Sequence, residues 1–141
     1  MSPQRLVTRA VGRTSASAPS YRVEIRTGTH QLVSDEPVGS GGGDTGPNPF
    51  RLFLSGLVAC TAITLRMYAQ RKGWNVESIE VRVDYEVAED GQAHVERTIT
   101  LPADLTQEQR DRLADIAERT PVTLAVKAGT PITTTIAVDG R

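Results

Sequence analysis

The stretch of sequence that decides the fold is NPFRLFLSGLVACTAITLRMYAQRKG, residues 48–73 of a chain of 141 residues. Asn48 is a good helix N-cap, Pro49 suits the first helical turn, and Gly73 can end a helix in the left-handed conformation. Residues 50–63 are apolar on nearly every side, which a surface helix could not tolerate in water. The sequence therefore predicts one long, buried central helix.

Near the middle of this predicted helix lies Cys60, the only cysteine of the chain. Cysteine is among the most buried residue types, so one interpretation of Cys60 is a small apolar side chain inside a helix. The helix dipole activates a thiol only near a helix N-terminus, and no charged residue shares the helical face of Cys60. A reactive thiol here would need an activating group from another element or another subunit.

The composition of the chain limits the classes of partner that it is expected to bind. The net charge of -1 and the pI of about 6.1 give no electrostatic case for nucleic acid or an anionic membrane. Only the central helix approaches the length of a membrane span, and Arg51 and Arg66 argue against that interpretation. A single cysteine excludes an internal disulfide framework, and two histidines without a cysteine cluster do not predict a metal site. A reducing, cytoplasmic setting is expected.

The first 20 residues contain Arg5, Arg9 and Arg13, several serines and no acidic residue. This composition is similar to that of an organellar transit peptide but lacks the apolar core of a secretory signal. The alternative interpretation is an N-terminal arm with a short strand near residues 5–11 and then a serine-rich turn. We expect this arm to precede a single domain formed by residues 21–141.

Alternating apolar and polar residues predict two strand hairpins. The first joins residues 21–26 to 30–34, and the second joins residues 79–87 to 93–101 through a turn at Asp90-Gly91. The inward register of the last of these strands places Arg97 on its apolar side. Either the Arg97 side chain reaches solvent near the strand end, or it points toward a partly buried anion.

A glycine-rich segment, residues 39–47, is predicted to be a flexible loop that leads into the central helix. No Lys-Ser or Lys-Thr follows the glycines, and the dinucleotide-binding spacing is missing. We therefore expect no nucleotide or other cofactor at this loop.

Two further helices and a strand are predicted in the last third of the chain. Residues 106–109 have the spacing of a capping box, which begins an amphipathic helix ending near Arg119. Thr120 is the expected N-cap of a short helix closed by Gly129, and residues 131–138 supply a final strand. Because strands and helices are partly segregated along the chain, the fold class is α+β rather than a doubly wound sheet.

Several separate motifs between residues 21 and 138 resemble those of the OsmC/Ohr superfamily of osmotically inducible and organic-hydroperoxide-resistance proteins. They are HQLVSDEP at residues 30–37, GPNP at 46–49, ACTA at 59–62, RMYA at 66–69 and PV at 121–122. The likeness is greater to the OsmC-like branch than to the Ohr branch. It implies antiparallel sheets wrapped around the long central helix, and an intertwined homodimer.

The resemblance also implies thiol peroxidase chemistry. The cysteine that matches Cys60 is the nucleophile of the family: its thiolate attacks an organic hydroperoxide, releases an alcohol and becomes a sulfenic acid. A second cysteine then forms a disulfide, which lipoyl or other thiols reduce. An arginine and a glutamate support the thiolate.

This chain departs from the family pattern at three positions. Thr120 stands where the family has its second cysteine, so an internal disulfide cannot form. The glutamate position falls on Phe50 or Arg51, and no arginine between Arg26 and Arg51 is available to match the family's loop arginine. The candidate residues are therefore Cys60 as the nucleophile, with Thr120, Arg51 and Arg97 as supporting residues.

Two functions are compatible with these residues. The first is a one-cysteine peroxidase of oxidative stress defence, in which Cys60 reduces organic hydroperoxides and an external thiol reduces the sulfenate. The second is a catalytically impaired homodimer that binds a small hydrophobic ligand. His30 and His94 have no ligand spacing to Cys60, so no metal site is predicted. The serines and threonines show no nucleophile elbow, so no hydrolase is predicted.

Overall fold

The structure is a computed structural model that describes residues 4–17 and 21–139. Its elements, in chain order, are β1 (Val11–Thr14), β2 (Val23–Thr27), β3 (His30–Ser34), a short 3₁₀ helix (Val38–Ser40), α1 (Pro49–Lys72), β4 (Glu80–Val87), β5 (Ala93–Thr100), α2 (Gln107–Ala117) and α3 (Pro121–Ala128). The chain divides into two compact units, Met1–Ser55 and Gly56–Arg141. The single domain expected for residues 21–141 stays a prediction, and each unit is described by itself.

The first unit contains a three-stranded antiparallel sheet in the order β1, β2, β3. Val23 lies opposite Ser34 and Thr27 opposite His30, which confirms the first predicted hairpin. The short strand predicted near residues 5–11 is wrong in position, because pairing with β2 begins only at Val11. The serine-rich turn that follows falls partly on residues 18–20, outside the described residues.

The glycine-rich loop is held in place by the buried carboxylate of Asp35, which is 2% exposed. This carboxylate accepts hydrogen bonds from the Gly43 N–H at 3.2 Å, the Thr45 N–H at 3.1 Å and the Thr45 hydroxyl at 2.6 Å. A Cβ at Gly42 would collide with the backbone of Glu36, so glycine is required there. One carboxylate thus satisfies several of the loop's donors, and the flexibility of the loop stays a prediction.

Asp35 should make the stability of the first unit depend on pH. The hydrogen bond from the Thr45 hydroxyl lowers the pKa of Asp35 most, burial acts against it, and the backbone donors lower it further. Because folding lowers this pKa, the stabilisation is complete above the ordinary aspartate value of about 3.9 and is lost as the pH falls toward the folded-state pKa. We expect Asp35→Asn to lower the free energy of unfolding at pH 7, since an amide nitrogen cannot accept the loop's N–H groups.

Urea denaturation of Asp35→Asn and wild type between pH 7 and pH 2.5 checks this expectation. The difference between the two proteins should shrink as the pH falls below about 4. Asp44→Asn is the matched control, since Asp44 is exposed in the same loop at φ 52°, a conformation that asparagine tolerates. A difference that stays constant with pH would contradict this role of the Asp35 carboxylate.

The second unit contains the β4–β5 hairpin, with Glu80 opposite Thr100 and Val87 opposite Ala93, as the alternation predicts. Its core joins α1 to α2 and to the loops that flank the hairpin. The core residues, each 6% exposed or less, are Leu65, Ala69, Val76, Leu105, Leu113 and Ala117. Burial of these side chains fixes the positions of α1 and α2.

A complete capping box begins α2, as the sequence predicts. The Thr106 hydroxyl accepts from the Gln109 N–H at 3.1 Å, and the Gln109 side chain accepts from the Thr106 N–H at 2.9 Å. We expect Thr106→Ala to lower the free energy of unfolding by about 1 kcal/mol, because it leaves one N–H of the first turn without its partner. Thr106→Ser, which keeps the hydroxyl, should lose much less in the same chemical denaturation measurement. Equal losses in the two variants would contradict the cap.

Helix α1 confirms the long helix predicted over residues 48–73, but it is not buried on all sides within one chain. Its buried residues lie four positions apart on one face and are Leu57, Thr61, Leu65 and Ala69. On other faces Ile63 is 58% exposed and Met67 is 55% exposed. The prediction of full burial is wrong for the single chain, because the described elements cover only one side of this helix.

By length and composition, α1 could also cross a membrane. Its most apolar window of 18 residues has a mean hydropathy of 1.6, and 22% of that window is buried. One such helix is weak evidence, because the core helix of a soluble protein meets the same criteria.

The final strand predicted over residues 131–138 does not form in the described chain. Residues 131–138 have no sheet partner there, and Ile132, Ile136 and Val138 are 88%, 85% and 89% exposed. The alternation of the sequence is typical of a strand, but a strand needs a neighbour to accept and donate its backbone hydrogen bonds.

Candidate active site

The Cys60 thiol lies against the start of helix α3. Cys60 is in the middle of α1 and is partly buried. The backbone N–H of Val122 donates to Cys60 Sγ, with an N–S distance of 3.4 Å. The two residues are 62 positions apart in the chain. The group that reaches the thiol is therefore a backbone amide from another element.

The Val122 N–H lies at the positive end of helix α3. Pro121 occupies the first turn of α3 and Val122 follows it, so the Val122 N–H has no partner within its own helix. N–H groups at a helix N-terminus carry the positive end of the helix dipole, which favours negative charge on a nearby thiol. Cys60 itself is mid-helix, but it receives the N-terminal field of α3.

Thr120 lies at the N-cap position of α3 and is fully buried. Its hydroxyl does not cap the helix. It forms a hydrogen bond with the hydroxyl of Thr123 at 2.7 Å, in which either oxygen can be the donor. The predicted capping role of Thr120 is therefore met by its backbone position and not by its side chain.

Arg97 crosses the interior of the second unit with its side chain only 14% exposed. Its Nη1 donates to the hydroxyls of Thr61 at 3.0 Å and Thr123 at 2.8 Å, and its Nη2 donates to the carbonyl of Ala117 at 2.8 Å. The interpretation in which Arg97 reaches solvent is wrong, because three acceptors on three helices hold the guanidinium inside.

A carboxylate completes the surroundings of Arg97. Glu118 Oε1 lies 3.9 Å from Arg97 Nη2, and Lys127 Nζ lies 2.5 Å from Glu118 Oε2. The hydrogen bond from Lys127 lowers the pKa of Glu118, burial acts against it, and attraction to Lys127 and Arg97 lowers it further. Arg97 therefore has a carboxylate within ion-pair distance, but Glu118 is 61% exposed and is not the partly buried anion of the second interpretation.

A cleft of about 500 Å³ opens beside Arg97, between the β4–β5 hairpin and helices α2 and α3. Its walls include the apolar residues Leu57, Val83, Ile99 and Val126 and the charged pair Glu118 and Lys127. This volume falls within the usual range of small-molecule sites.

The sequence profile described as OsmC-like protein matches residues 41–135, more than half of the chain. The chain belongs to the OsmC-like family. None of the curated proteins compared with this OsmC-like chain matches it significantly.

Solved structures of the family have the same fold. The organic hydroperoxide resistance protein OsmC of Legionella pneumophila has a TM-score of 0.62 and 23% identity, covering 89% of this chain and 92% of that one. The organic hydroperoxide resistance protein OhrB of Bacillus subtilis has a TM-score of 0.58 and 24% identity, covering 88% and 93%. An OsmC-like protein of Mycoplasma pneumoniae has a TM-score of 0.64 and 18% identity, covering 89% of each chain. These structures confirm the predicted α+β fold with antiparallel sheets and a long helix.

Arg51 is not among the residues that surround Cys60 in the second unit of this OsmC-like chain. It lies in the first unit, in the first turn of α1, with an exposed side chain. Its backbone N–H donates to the side-chain oxygen of Asn48 at 3.0 Å, which confirms the predicted cap. Arg51 as a supporting residue stays a prediction.

Three parts of the site were missed from the sequence: the Val122 amide and the hydroxyls of Thr61 and Thr123. A backbone N–H has no residue-type signal in the sequence. The one available clue is the pair Thr120-Pro121, which marks where α3 begins. Within residues 4–17 and 21–139, no group of three or more His, Cys, Asp and Glu side chains could hold a metal ion. The chemistry available here is that of a thiol beside a helix N-terminus.

Proposed function

We propose that this OsmC-like protein is a one-cysteine thiol peroxidase that reduces organic hydroperoxides through Cys60. Membership of the family supports a role in peroxide resistance or stress. The observation that carries the finer proposal is the hydrogen bond from the Val122 N–H to Cys60 Sγ at 3.4 Å. Reactive cysteines are commonly found next to helix N-termini, and the thiolate is the form that attacks a peroxide.

In the first step the thiolate attacks the terminal oxygen of the hydroperoxide. An S–O bond forms and the O–O bond breaks, so the sulfur is oxidised by two electrons and the peroxide is reduced. The alkoxide takes up a proton and leaves as an alcohol. Cys60 is left as a sulfenic acid.

The second step uses an external thiol, because the chain has no other cysteine. The thiol attacks the sulfenic sulfur, which gives a mixed disulfide and releases water. A second thiol attacks the mixed disulfide, restores the Cys60 thiol and leaves as the oxidised disulfide. Thr120, at the position of the family's second cysteine, cannot take part because a hydroxyl does not form this bond. A thiol that depends on reduction suits the cytoplasm.

Peroxide consumption tests this proposal. The protein is mixed with cumene hydroperoxide and either dihydrolipoamide or glutathione, and the remaining peroxide is measured over time. Many peroxides reduced per Cys60, at a rate that depends on the protein concentration, would support the peroxidase. Consumption no faster than with the thiol alone would contradict it.

The proposal also includes a homodimer. The exposed Ile63 and Met67 of α1, and Ile132 and Ile136 near the C-terminus, form apolar surface that water does not favour. A second copy of the chain would cover it and would give residues 131–138 a strand to pair with. Intertwined pairing of this kind fits the resemblance on which the dimer was predicted.

Sedimentation equilibrium of wild type and Ile63→Glu tests the dimer. We expect wild type to be a dimer at micromolar concentration and Ile63→Glu to be mostly monomeric, because a buried carboxylate without a partner opposes association. Ala103→Glu, in an exposed turn, is the charge-matched control and should stay dimeric. A monomeric wild type, or an unchanged Ile63→Glu, would contradict the dimer.

The cleft of about 500 Å³ favours one alternative, a protein that binds a small hydrophobic ligand without turning it over. Its apolar walls would hold such a ligand without any need for the thiol. Titration with the apolar dye 8-anilinonaphthalene-1-sulfonate distinguishes the two functions. Binding that is equal in wild type and Cys60→Ala but weak in Val126→Glu, with no peroxide consumption by wild type, would favour the alternative.

A further inference from the structure

One guanidinium connects the helix that carries the thiol to the helix that carries its amide donor. Arg97, on β5, donates to Thr61 on α1 at 3.0 Å and to Thr123 on α3 at 2.8 Å. Its other terminal nitrogen donates to the carbonyl of Ala117, the last residue of α2, at 2.8 Å. A planar guanidinium with its donors in a rigid fork suits three acceptors in three directions.

Two of the three acceptors are next to a part of the site. Thr61 follows Cys60 in the chain, and Thr123 follows Val122. The thiol and its amide donor are therefore each followed in the chain by a residue that Arg97 contacts, although no hydrogen bond joins Arg97 to the sulfur itself.

The hydroxyls that receive these bonds each make a second hydrogen bond. Thr61, which is 0% exposed, donates onward to the Leu57 carbonyl at 2.7 Å. Thr123, which is 5% exposed, shares a hydrogen bond with Thr120 at 2.7 Å. A buried network in which every member is satisfied favours a single arrangement.

We propose that Arg97 is a positioning residue that holds the Val122 N–H against Cys60 Sγ. This inference rests on the proposed role of Cys60, but it concerns the geometry that prepares the thiol and not the peroxide. Glu118, 3.9 Å away, offsets part of the charge of Arg97, so the contribution of Arg97 is the shape of its hydrogen bonds more than its charge. Lysine, a single point of charge, cannot reproduce that shape.

Amide hydrogen exchange of Val122, followed by NMR, reports this positioning directly. Because Val122 lies in the first turn of α3, its protection comes from the bond to Cys60 and not from the helix. Leu124 is the internal reference, since its N–H bonds to the Thr120 carbonyl at 2.9 Å and reports opening of α3 itself. In Arg97→Met and Arg97→Lys we expect Val122 to exchange about two- to tenfold faster, with Leu124 unchanged.

Three variants complete the experiment. Thr123→Val leaves Arg97 in place but removes its acceptor on α3, and should reproduce the loss at Val122. Cys60→Ala should remove the protection of Val122 while Leu124 keeps its own. Arg82→Met, on the neighbouring strand with an arginine side chain that is 70% exposed, is the matched control and should change neither amide.

The rate of Cys60 oxidation is measured in the same variants. The rate at which one equivalent of cumene hydroperoxide oxidises Cys60 should fall about tenfold in Arg97→Met and Arg97→Lys, because a small misplacement of a reacting group is costly. If cumene hydroperoxide does not oxidise wild-type Cys60, the proposed peroxidase function is contradicted. The exchange test of Arg97 remains valid in that case. Val122 protection that survives in Arg97→Met, is restored in Arg97→Lys, or is lost together with that of Leu124 would overturn the positioning role.

Discussion

Replacement of Cys60 by serine should reduce the rate of peroxide consumption by at least about a thousandfold, to the level of the external thiol alone. A serine hydroxyl is not ionised near neutral pH and does not accept an oxygen atom from a peroxide. Cys60 is also the only thiol in the chain, so no other residue can take over its role. The measurement is the initial rate of cumene hydroperoxide loss in the presence of excess dihydrolipoamide.

Ala59→Ser is the matched control for this substitution. It introduces the same hydroxyl one position earlier, at an exposed site, and keeps the thiol. We expect it to retain most of the activity, so that the loss in Cys60→Ser reports the sulfur and not a disturbance of α1. Activity that persists in Cys60→Ser would assign the peroxide consumption to another group or to a contaminant.

The second large effect concerns stability. Leu65 is 0% exposed and belongs to the core between α1 and α2. We expect Leu65→Ala to lower the free energy of unfolding by about 2–5 kcal/mol, since the removed methyl groups lose their burial and leave a cavity. Urea denaturation followed by the fluorescence of Trp74, the only tryptophan, measures this loss at a fixed protein concentration.

Leu65→Met is the control that changes the residue type at this site but nearly keeps the buried volume. Methionine nearly conserves the volume of leucine and is apolar, so we expect a loss below about 1.5 kcal/mol. A loss in Leu65→Ala no larger than in Leu65→Met would mean that the core collapses around the cavity. It would then contradict the role of Leu65 as a rigid contact between α1 and its neighbours.

The local elements of this OsmC-like fold could be predicted because their signals are short-range. The cap at Asn48 and the glycine at position 73 bracket α1, and the alternation over residues 79–87 gives β4. In the same way, the spacing of Thr106 and Gln109 gives the start of α2. Each of these signals depends on residues within a few positions of one another.

The parts that failed depend on contacts between distant segments. Whether residues 131–138 form a strand depends on a neighbour that the sequence pattern does not name. The donors of the glycine-rich loop bond to Asp35, which lies outside the glycine run, at the end of the first hairpin. The alternation of apolar and polar residues placed Arg97 on the inner side of β5. It could not show that the Arg97 side chain donates to acceptors on three helices.

The candidate site divides in the same way. Cys60 could be chosen because it is the only cysteine and because its surroundings resemble those of the OsmC/Ohr superfamily. Its donor, the Val122 amide, could not be predicted because every residue except proline carries an N–H. Only the packing of α3 against α1 selects that one amide.

The most direct test of the account is the rate of sulfenic acid formation at Cys60. The reduced protein is mixed with one equivalent of cumene hydroperoxide, trapped with dimedone at successive times, and analysed by intact mass, with Cys60→Ser as the blank. We expect one oxygen added per chain, followed by one dimedone adduct, far faster than for a free model thiol, whose pKa is about 8.5. Oxidation of Cys60 no faster than that of the free thiol would contradict this expectation.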